Sequence, residues 1–285
     1  MTLHLHAFQP DLGRLMRLAA RERLLPTGDD PGYAVHAVLA ATFGVLAPAP
    51  WVLLQPGEGG GPRGRLLAYS AHPLEALLAH AGAYADPTFA AVLDLPNAAS
   101  KLMPDCFAPG TRLGFRTRLR PVSRLGKPLA GHPSAAERGA RGQERDVYLS
   151  RVAAAERAVV ASAVHSERSS EAPATALAAA PSRAECYLEW LDGRLRGAGA
   201  ELAPALGLGG GPWAARVDAF RFTRLLARDR GEPRARSAAV DGPDALITGT
   251  LVVTDAEAFA AGLARGIGRH RAFGFGMLLL TPPRG

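Results

Sequence analysis

The strongest constraint on this chain is the order in which two periodicities alternate over its first 121 residues. "TLHLHAF" (2–8) repeats with period two and sets Leu3, Leu5 and Ala7 on one face of a strand. "PGYAVHAVLAATFGVL" (31–46) puts Val35, Val38, Leu39, Thr42 and Phe43 at helical spacing, with Pro31 suited to the first turn. "WVLLQP" (51–56) and "GRLLAYS" (64–70) read as strands joined by the glycine-rich turn "GEGGGPR". "PLEALLAHAG" (73–82) is a short helix closed by Gly82. "TRLGFRTRLRP" (111–121) sets Leu113, Phe115, Thr117 and Leu119 against Arg112, Arg116, Arg118 and Arg120, a strand with one basic face. The sum is β-α-β-β-α-β, the split βαβ order of a ferredoxin-like domain, a scaffold also used by RNA-recognition domains.

Between 122 and 181 the pattern breaks. "GKPLAGHPSAAERGARGQERD" is turn-rich and charged, "RDVYLSRVAAAERAVVASAV" has helical character, and "HSERSSEAPATALAAAPS" has linker composition. Order returns at Ser182. "SRAECYLEWLDGRLRGAGAEL" (182–202) reads as a helix with a Ser182–Glu185 capping box and an apolar face of Tyr187, Leu188, Leu191 and Leu195. Residues 213–240 read as a strand, a charged turn and a return strand; "ALITGTLVVT" (245–254) is a strand; "DAEAFAAGLARG" (255–266) is a helix capped by Asp255 and closed by Gly266; "FGMLLLTPP" is a last strand. The expected architecture is α+β: two tandem ferredoxin-like (RRM-like) domains, 1–121 and 182–285, joined by a partly helical insertion over 122–181, with a basic cleft between them.

Composition narrows the chemistry. The net charge of +7 favours a polyanionic partner such as nucleic acid or an anionic membrane surface. The two cysteines, Cys106 and Cys186, are too far apart and too few for a zinc site or a disulfide framework, and no apolar run is long enough to span a bilayer. With no signal-peptide pattern at its start, the expected location is the cytoplasm. No HExxH, GxSxG or Cys–His pattern is present. His4 and His6 share a strand face, but no third ligand accompanies them, so no metal and no cofactor are expected.

One motif stands out near the C-terminus. In "GLARGIGRHRAFGFGMLLLTPPRG" a helix precedes the glycines and a strand follows them, the reverse of a dinucleotide-binding loop, and no Gly-Lys-Ser/Thr is present. Two readings remain. Gly266, Gly268, Gly274 and Gly276 let backbone N–H groups approach a phosphodiester, with Arg269 and Arg271 adding charge; or they cap a helix and pack a strand tightly.

"GIGRHRAFGFGMLLLTPP" (266–283) resembles the C-terminal glycine-rich loop of the CRISPR-associated repeat-processing endoribonucleases, specifically the CasE subfamily of type I-E systems. "FAPGTRLGFRTRLRPVSR" (107–124) resembles the strand and R-x-x-P turn of that subfamily, and "GYAVHAVL" (32–39) its first-helix motif, a Tyr three residues before a His. The resemblance implies metal-independent cleavage of CRISPR precursor RNA at the base of a repeat stem-loop, with attack by a ribose 2′-OH and a 2′,3′-cyclic phosphate product. It implies His36 as the proton-transfer group with Tyr33 beside it, and the loop glycines with Arg269 and Arg271 as phosphate contacts. Arg116, Arg118, Arg120 and Arg124 would track RNA in the cleft, and Arg224, Arg228, Arg230, Arg234 and Arg236 would carry a hairpin into the stem groove. The implied partners are repeat stem-loop RNA and other subunits of a type I-E-like surveillance complex. A stem-loop-binding subunit that does not cut is the alternative. His270 has no counterpart in the motif and reads as a loop residue or a second titrating group.

Overall fold

The computed structural model describes residues 2–25, 30–58, 61–124, 144–155, 181–205, 211–227 and 238–283. The first sheet holds β1 (His4–Phe8), β2 (Trp51–Leu54), β3 (Arg65–Ser70) and β4 (Ala99–Leu102) in the order β2-β3-β1-β4, with every pair antiparallel. Helices α1 (Leu12–Arg21), α2 (Gly32–Phe43), α3 (Leu74–Tyr84) and the short α4 (Pro87–Ala90) accompany it. This is the ferredoxin-like order.

β3 explains how this unit meets the rest. Its run "LLAYS" is buried at every position. Leu66 and Ala68 point into a core with Leu15, Val35 and Leu39 of the helices. Leu67 and Tyr69 point the other way, into a core shared with Phe115, Tyr187 and Leu251. A sheet covered on both faces needs a continuous apolar strand rather than an alternating one.

The second sheet contains β5 (Arg112–Leu119), β8 (Ala200–Leu202), β9 (Ala215–Ala227), β10 (Ala238–Val253) and β11 (Leu279–Thr281). Its order is β11-β5-β10-β8, and β9 also pairs with β10. With α5 (Arg183–Arg196) and α6 (Ala256–Arg265) it forms a second ferredoxin-like unit, whose second strand is split into β8 and β9 along one edge of β10. A ribbon of β6 (Val122–Arg124) and β7 (Glu144–Asp146) leaves the end of β5, and helical backbone follows at 147–155.

Three sequence expectations change here. The strand over 111–121 was expected to close the first sheet. That place is taken by β4, which pairs with β1, whereas β5 lies between β10 and β11. The exchange has a physical reason: Phe115 and Leu119 are buried in the core with Tyr187, Leu251 and Phe259 of the second unit, and among the described residues no other strand lies between β10 and β11. The helix expected over 182–202 ends at Arg196, and 200–202 form β8. The return strand of the hairpin and the strand at 245–254 are one strand, β10, running through "DGPD". Pro243 pairs with Phe222 where β10 has outrun β5, an edge position that tolerates a missing N–H. Helix α1 was not anticipated; Asp11 caps it by accepting the Arg14 N–H at 2.8 Å, and Leu15, Leu18 and Ala19 are its buried face. Among the described residues no helix is long and apolar enough to cross a membrane.

Candidate active site

Helix α2 starts at a carboxylate. Asp30 Oδ1 accepts the Gly32 N–H at 2.8 Å, satisfying one of the donors that a helix start leaves open. One turn on, Tyr33 and His36 stand three residues apart on the same face, both half-buried, with ring centroids 6.2 Å apart. That face meets the 266–276 loop. The Phe273 ring lies nearly parallel to Tyr33 at 6.0 Å and edge-on to His36 at 5.4 Å. Gly32 permits the approach, because a Cβ there would stand 2.6 Å from the Phe273 carbonyl oxygen.

The loop glycines answer to geometry first. Gly266, Gly268, Gly274 and Gly276 have φ of +78°, +77°, +84° and +81°, where side chains are strained. A Cβ at Gly274 would stand 2.6 Å from the Trp51 ring, and one at Gly276 2.2 Å from the Ile267 carbonyl oxygen. Gly266, Gly274 and Gly276 are buried. The N–H groups of Gly266 and Gly276 are spent on Gly262 and Arg118 carbonyls at 2.8 and 2.7 Å. The phosphate-cradle reading is therefore corrected for these two glycines; they shape the loop. Trp51 Nε1 fastens it from β2 by donating to the Ala272 carbonyl at 3.2 Å, and Tyr69 Oη donates to the Leu278 carbonyl at 3.0 Å.

Arg118 near the end of β5 and Arg120 just past it are also turned inward, whereas Arg112 is exposed. Arg118 forms two hydrogen bonds with Asp244 at 2.9 and 2.7 Å, reaches Asp30 Oδ2, and covers the Phe275 ring at 4.3 Å. It joins the start of α2, β10 and the loop in one contact. Burial alone would lower its pKa, but Asp244 and Asp30 outweigh this and raise it; the Asp244 carboxyl, penalised by burial, is held below its usual range by Arg118 and Arg221. Arg120 is 1 % exposed, donates to the Thr223 carbonyl at 3.3 Å and occupies space that only a glycine at 242 leaves. Arg116 donates to the Glu58 carbonyl at 2.8 Å. The expectation that Arg118 and Arg120 line an open RNA groove is thus corrected: Arg118 meets two carboxylates, and Arg120 is buried. A cleft of about 400 Å³ lies alongside, bounded by Asp30, Gly32, Arg116, Arg118, Arg221 and Asp244 among others, and its arginines meet carboxylates.

The other cations differ in setting. Arg124 is exposed, and Arg224 makes an exposed cross-strand pair with Asp241 at 2.8 Å. Arg271 reaches the Arg265 carbonyl at 2.9 Å from an exposed setting. Arg269 donates to Glu144 Oε1 at 2.5 Å, and His270 Nε2 lies 2.6 Å from Glu144 Oε2. Burial would raise the Glu144 pKa, but His270 and Arg269 pull it down to about 2. Arg228, Arg230, Arg234 and Arg236 lie outside the described residues. Among the described residues no group of three His, Cys, Asp or Glu side chains is placed to hold a metal ion.

Sequence reasoning named Tyr33, His36 and the loop, and the fold brings them together. It missed Phe273, Trp51, Asp30, Asp244 and Glu144. Phe273 sits inside the noted motif, and Asp30 just ahead of Pro31 at a helix start, a place where a carboxylate is a capping signal. Glu144 falls in a stretch whose composition carries no periodic signal.

Fold and site together define a tandem ferredoxin-like protein that sets a Tyr–His pair against a glycine-shaped loop. The family described as CRISPR associated protein matches residues 14–282, and the chain belongs to that family. Among solved structures it is similar to a CRISPR endoribonuclease Cse3 bound to 19 nt RNA, with a TM-score of 0.58 and 20% identity over 99% of this chain and 100% of that one. It is also similar to Thermus thermophilus Cse3 bound to an RNA representing a pre-cleavage complex, with a TM-score of 0.56 and 19% identity over 99% and 100% of the two chains. At that identity the likeness establishes the fold. No curated protein matches the sequence.

Proposed function

We propose that the protein is an endoribonuclease that cuts CRISPR precursor RNA within its repeats, at the base of a stem-loop, and stays bound to the product. The observation that carries this is the packing of Phe273 against both Tyr33 and His36, which joins a titratable pair to a basic loop. Two proteins of the same fold are Cse3 endoribonucleases seen with RNA, and the family is CRISPR-associated.

In this reading the ribose 2′-oxygen attacks the adjacent phosphorus while its bond to the 5′-oxygen breaks. The 2′-OH gives up a proton and the departing 5′-oxygen takes one. His36 is the group that moves a proton, because an imidazole exchanges one near neutral pH. The Tyr33 phenol donates to a phosphate oxygen as charge builds there, and Arg271 adds positive charge from the loop. The products are a 5′-OH and a 2′,3′-cyclic phosphate. Assembly with other subunits of a type I-E-like surveillance complex belongs to the same proposal.

The test is incubation with repeat stem-loop RNA in excess chelator. Cleavage to a cyclic-phosphate end supports the proposal. RNA bound but uncut favours the non-cleaving subunit, and RNA neither bound nor cut removes both readings.

A further inference from the structure

A single carboxylate holds two consecutive residues of the loop. Glu144 uses Oε1 for Arg269 and Oε2 for His270, and its side chain is only 13% exposed. The strand that carries it is itself anchored. β7 is paired with β6, and two residues beyond Glu144 the buried Asp146 takes hydrogen bonds from Arg183, from Tyr187 Oη at 3.0 Å and from the Tyr148 N–H at 2.9 Å. Glu144 is thereby tied to α5.

What it grips decides where Phe273 goes. His270 has φ +59°, a left-handed backbone that non-glycine residues seldom adopt. Its carbonyl accepts the Phe273 N–H at 2.8 Å and so opens the single 3₁₀ turn Arg271–Phe273. The Phe273 ring at the end of that turn meets Tyr33 and His36. A chain of contacts runs from α5 through Asp146, Glu144 and His270 to Phe273 and the Tyr–His pair.

We infer that Glu144 is a positioning residue for the reaction: by gripping His270 and Arg269 it sets the turn that places Phe273 against Tyr33 and His36. This rests on the endoribonuclease reading. It gives the 122–181 insertion a purpose, since β7 belongs to it and reaches the loop. Catalytic geometry tolerates little displacement, and a shift of about 1 Å costs on the order of 100-fold in rate. RNA affinity, spread over many phosphate contacts, depends far less on one loop turn.

The experiment compares the full chain with Glu144→Ala, His270→Ala and the double variant. Single-turnover cleavage of repeat stem-loop RNA, RNA binding and the three tryptophan indole N–H signals are measured for each. Trp51 reports on the loop through Ala272, whereas Trp213, which pairs with Pro204 beside β8, serves as a control for folding. The expected result for Glu144→Ala is a cleavage rate lower by roughly 10- to 100-fold, RNA affinity within about threefold, a shifted Trp51 signal and an unmoved Trp213 signal. The double variant should be no slower than the slower single variant, because both residues act through one contact. A wild-type cleavage rate in Glu144→Ala, or multiplicative losses in the double variant, would overturn the inference. If Glu144→Ala loses the Trp213 signal, the decision passes to His270→Ala: a slower cut with a shifted Trp51 supports the inference and an unchanged rate overturns it. If the wild-type protein binds but does not cut, the functional reading has failed separately. The Trp51 signal of Glu144→Ala then decides whether the grip sets the loop.

Discussion

The arginines of β5 and the arginines of the loop and hairpin have the same chemistry and different settings. Arg118 and Arg120 lie against Phe275 under the junction of the two units, and Arg118 is closed by Asp30 and Asp244. Arg124 and Arg224 stand exposed at the surface, and Arg271 is partly exposed. Like charges thus sit in unlike settings. Arg118 ties the start of α2 to β10 and the loop; the outer set has the exposure that the proposed function asks of phosphate contacts. A count of arginines merges the two, and a row of them on one strand face does not separate them.

Arg118→Ala sharpens the comparison most. It takes away the guanidinium shared by two carboxylates whose side chains are 1% and 5% exposed, leaving Asp244 with Arg221 and Asp30 with the Gly32 N–H. Breaking a buried pair in this way costs about 3–5 kcal/mol, to be read as a fall in the denaturant midpoint. Arg118→Lys should recover only part of this, since one ammonium cannot reproduce the guanidinium fork. An Arg118→Ala protein as stable as the parent but weaker for RNA would break the comparison and return Arg118 to the RNA surface.

Next is Gly274→Ala. The backbone at φ +84° and the Trp51 ring both oppose a methyl group there. The left-handed conformation alone costs roughly 1–2 kcal/mol, and displacement of the loop should slow cleavage more than it weakens binding. Equal loss of both would assign the glycines to RNA contact after all.

Acid should discriminate in the same way. Asp244 and Glu144 have folded pKa values pulled below their unfolded ones, Glu144 to about 2. Their contribution to stability is fully present above the unfolded carboxylate range, about 4, and is lost as pH falls through the folded values. Arg118→Ala should flatten this acid limb in a urea titration run at successive pH values. An unchanged limb would mean that other carboxylates set it.

The smallest effect on stability is expected at the surface. Arg271→Ala should change stability by no more than about 0.5 kcal/mol, and Arg224→Ala should leave the denaturant midpoint where it is. Each residue that touches RNA phosphate should lower the slope of log affinity against log salt by about one unit when it is removed. A slope unmoved by both variants would leave the outward set without a polyanion.

Period and order made most of the fold legible. The alternation in "TLHLHAF", the Ser182 capping box and the helix before the last glycines all recur in the structure as β1, α5 and α6. The errors lay where local pattern says nothing of partner. β5 is a strand from its sequence, but only tertiary packing of Phe115 and Leu119 decides which sheet it joins. "DGPD" carries a turn signal that the hairpin overrides. Tyr33 and His36 were legible through a motif, Phe273 sat unread inside another, and Glu144 is meaningful only because the fold carries it to residues more than a hundred positions away.

Under the proposed function α2 does the chemistry while the arginines hold the RNA. The most direct measurement is cleavage and binding of repeat stem-loop RNA by His36→Ala, in excess chelator, beside the parent protein. The parent should cut to a 2′,3′-cyclic phosphate, and the variant should bind within a few fold and lose at least about 100-fold in rate. A His36→Ala protein that cuts at the parental rate, or a parent that cuts only when a divalent ion is restored, would contradict it.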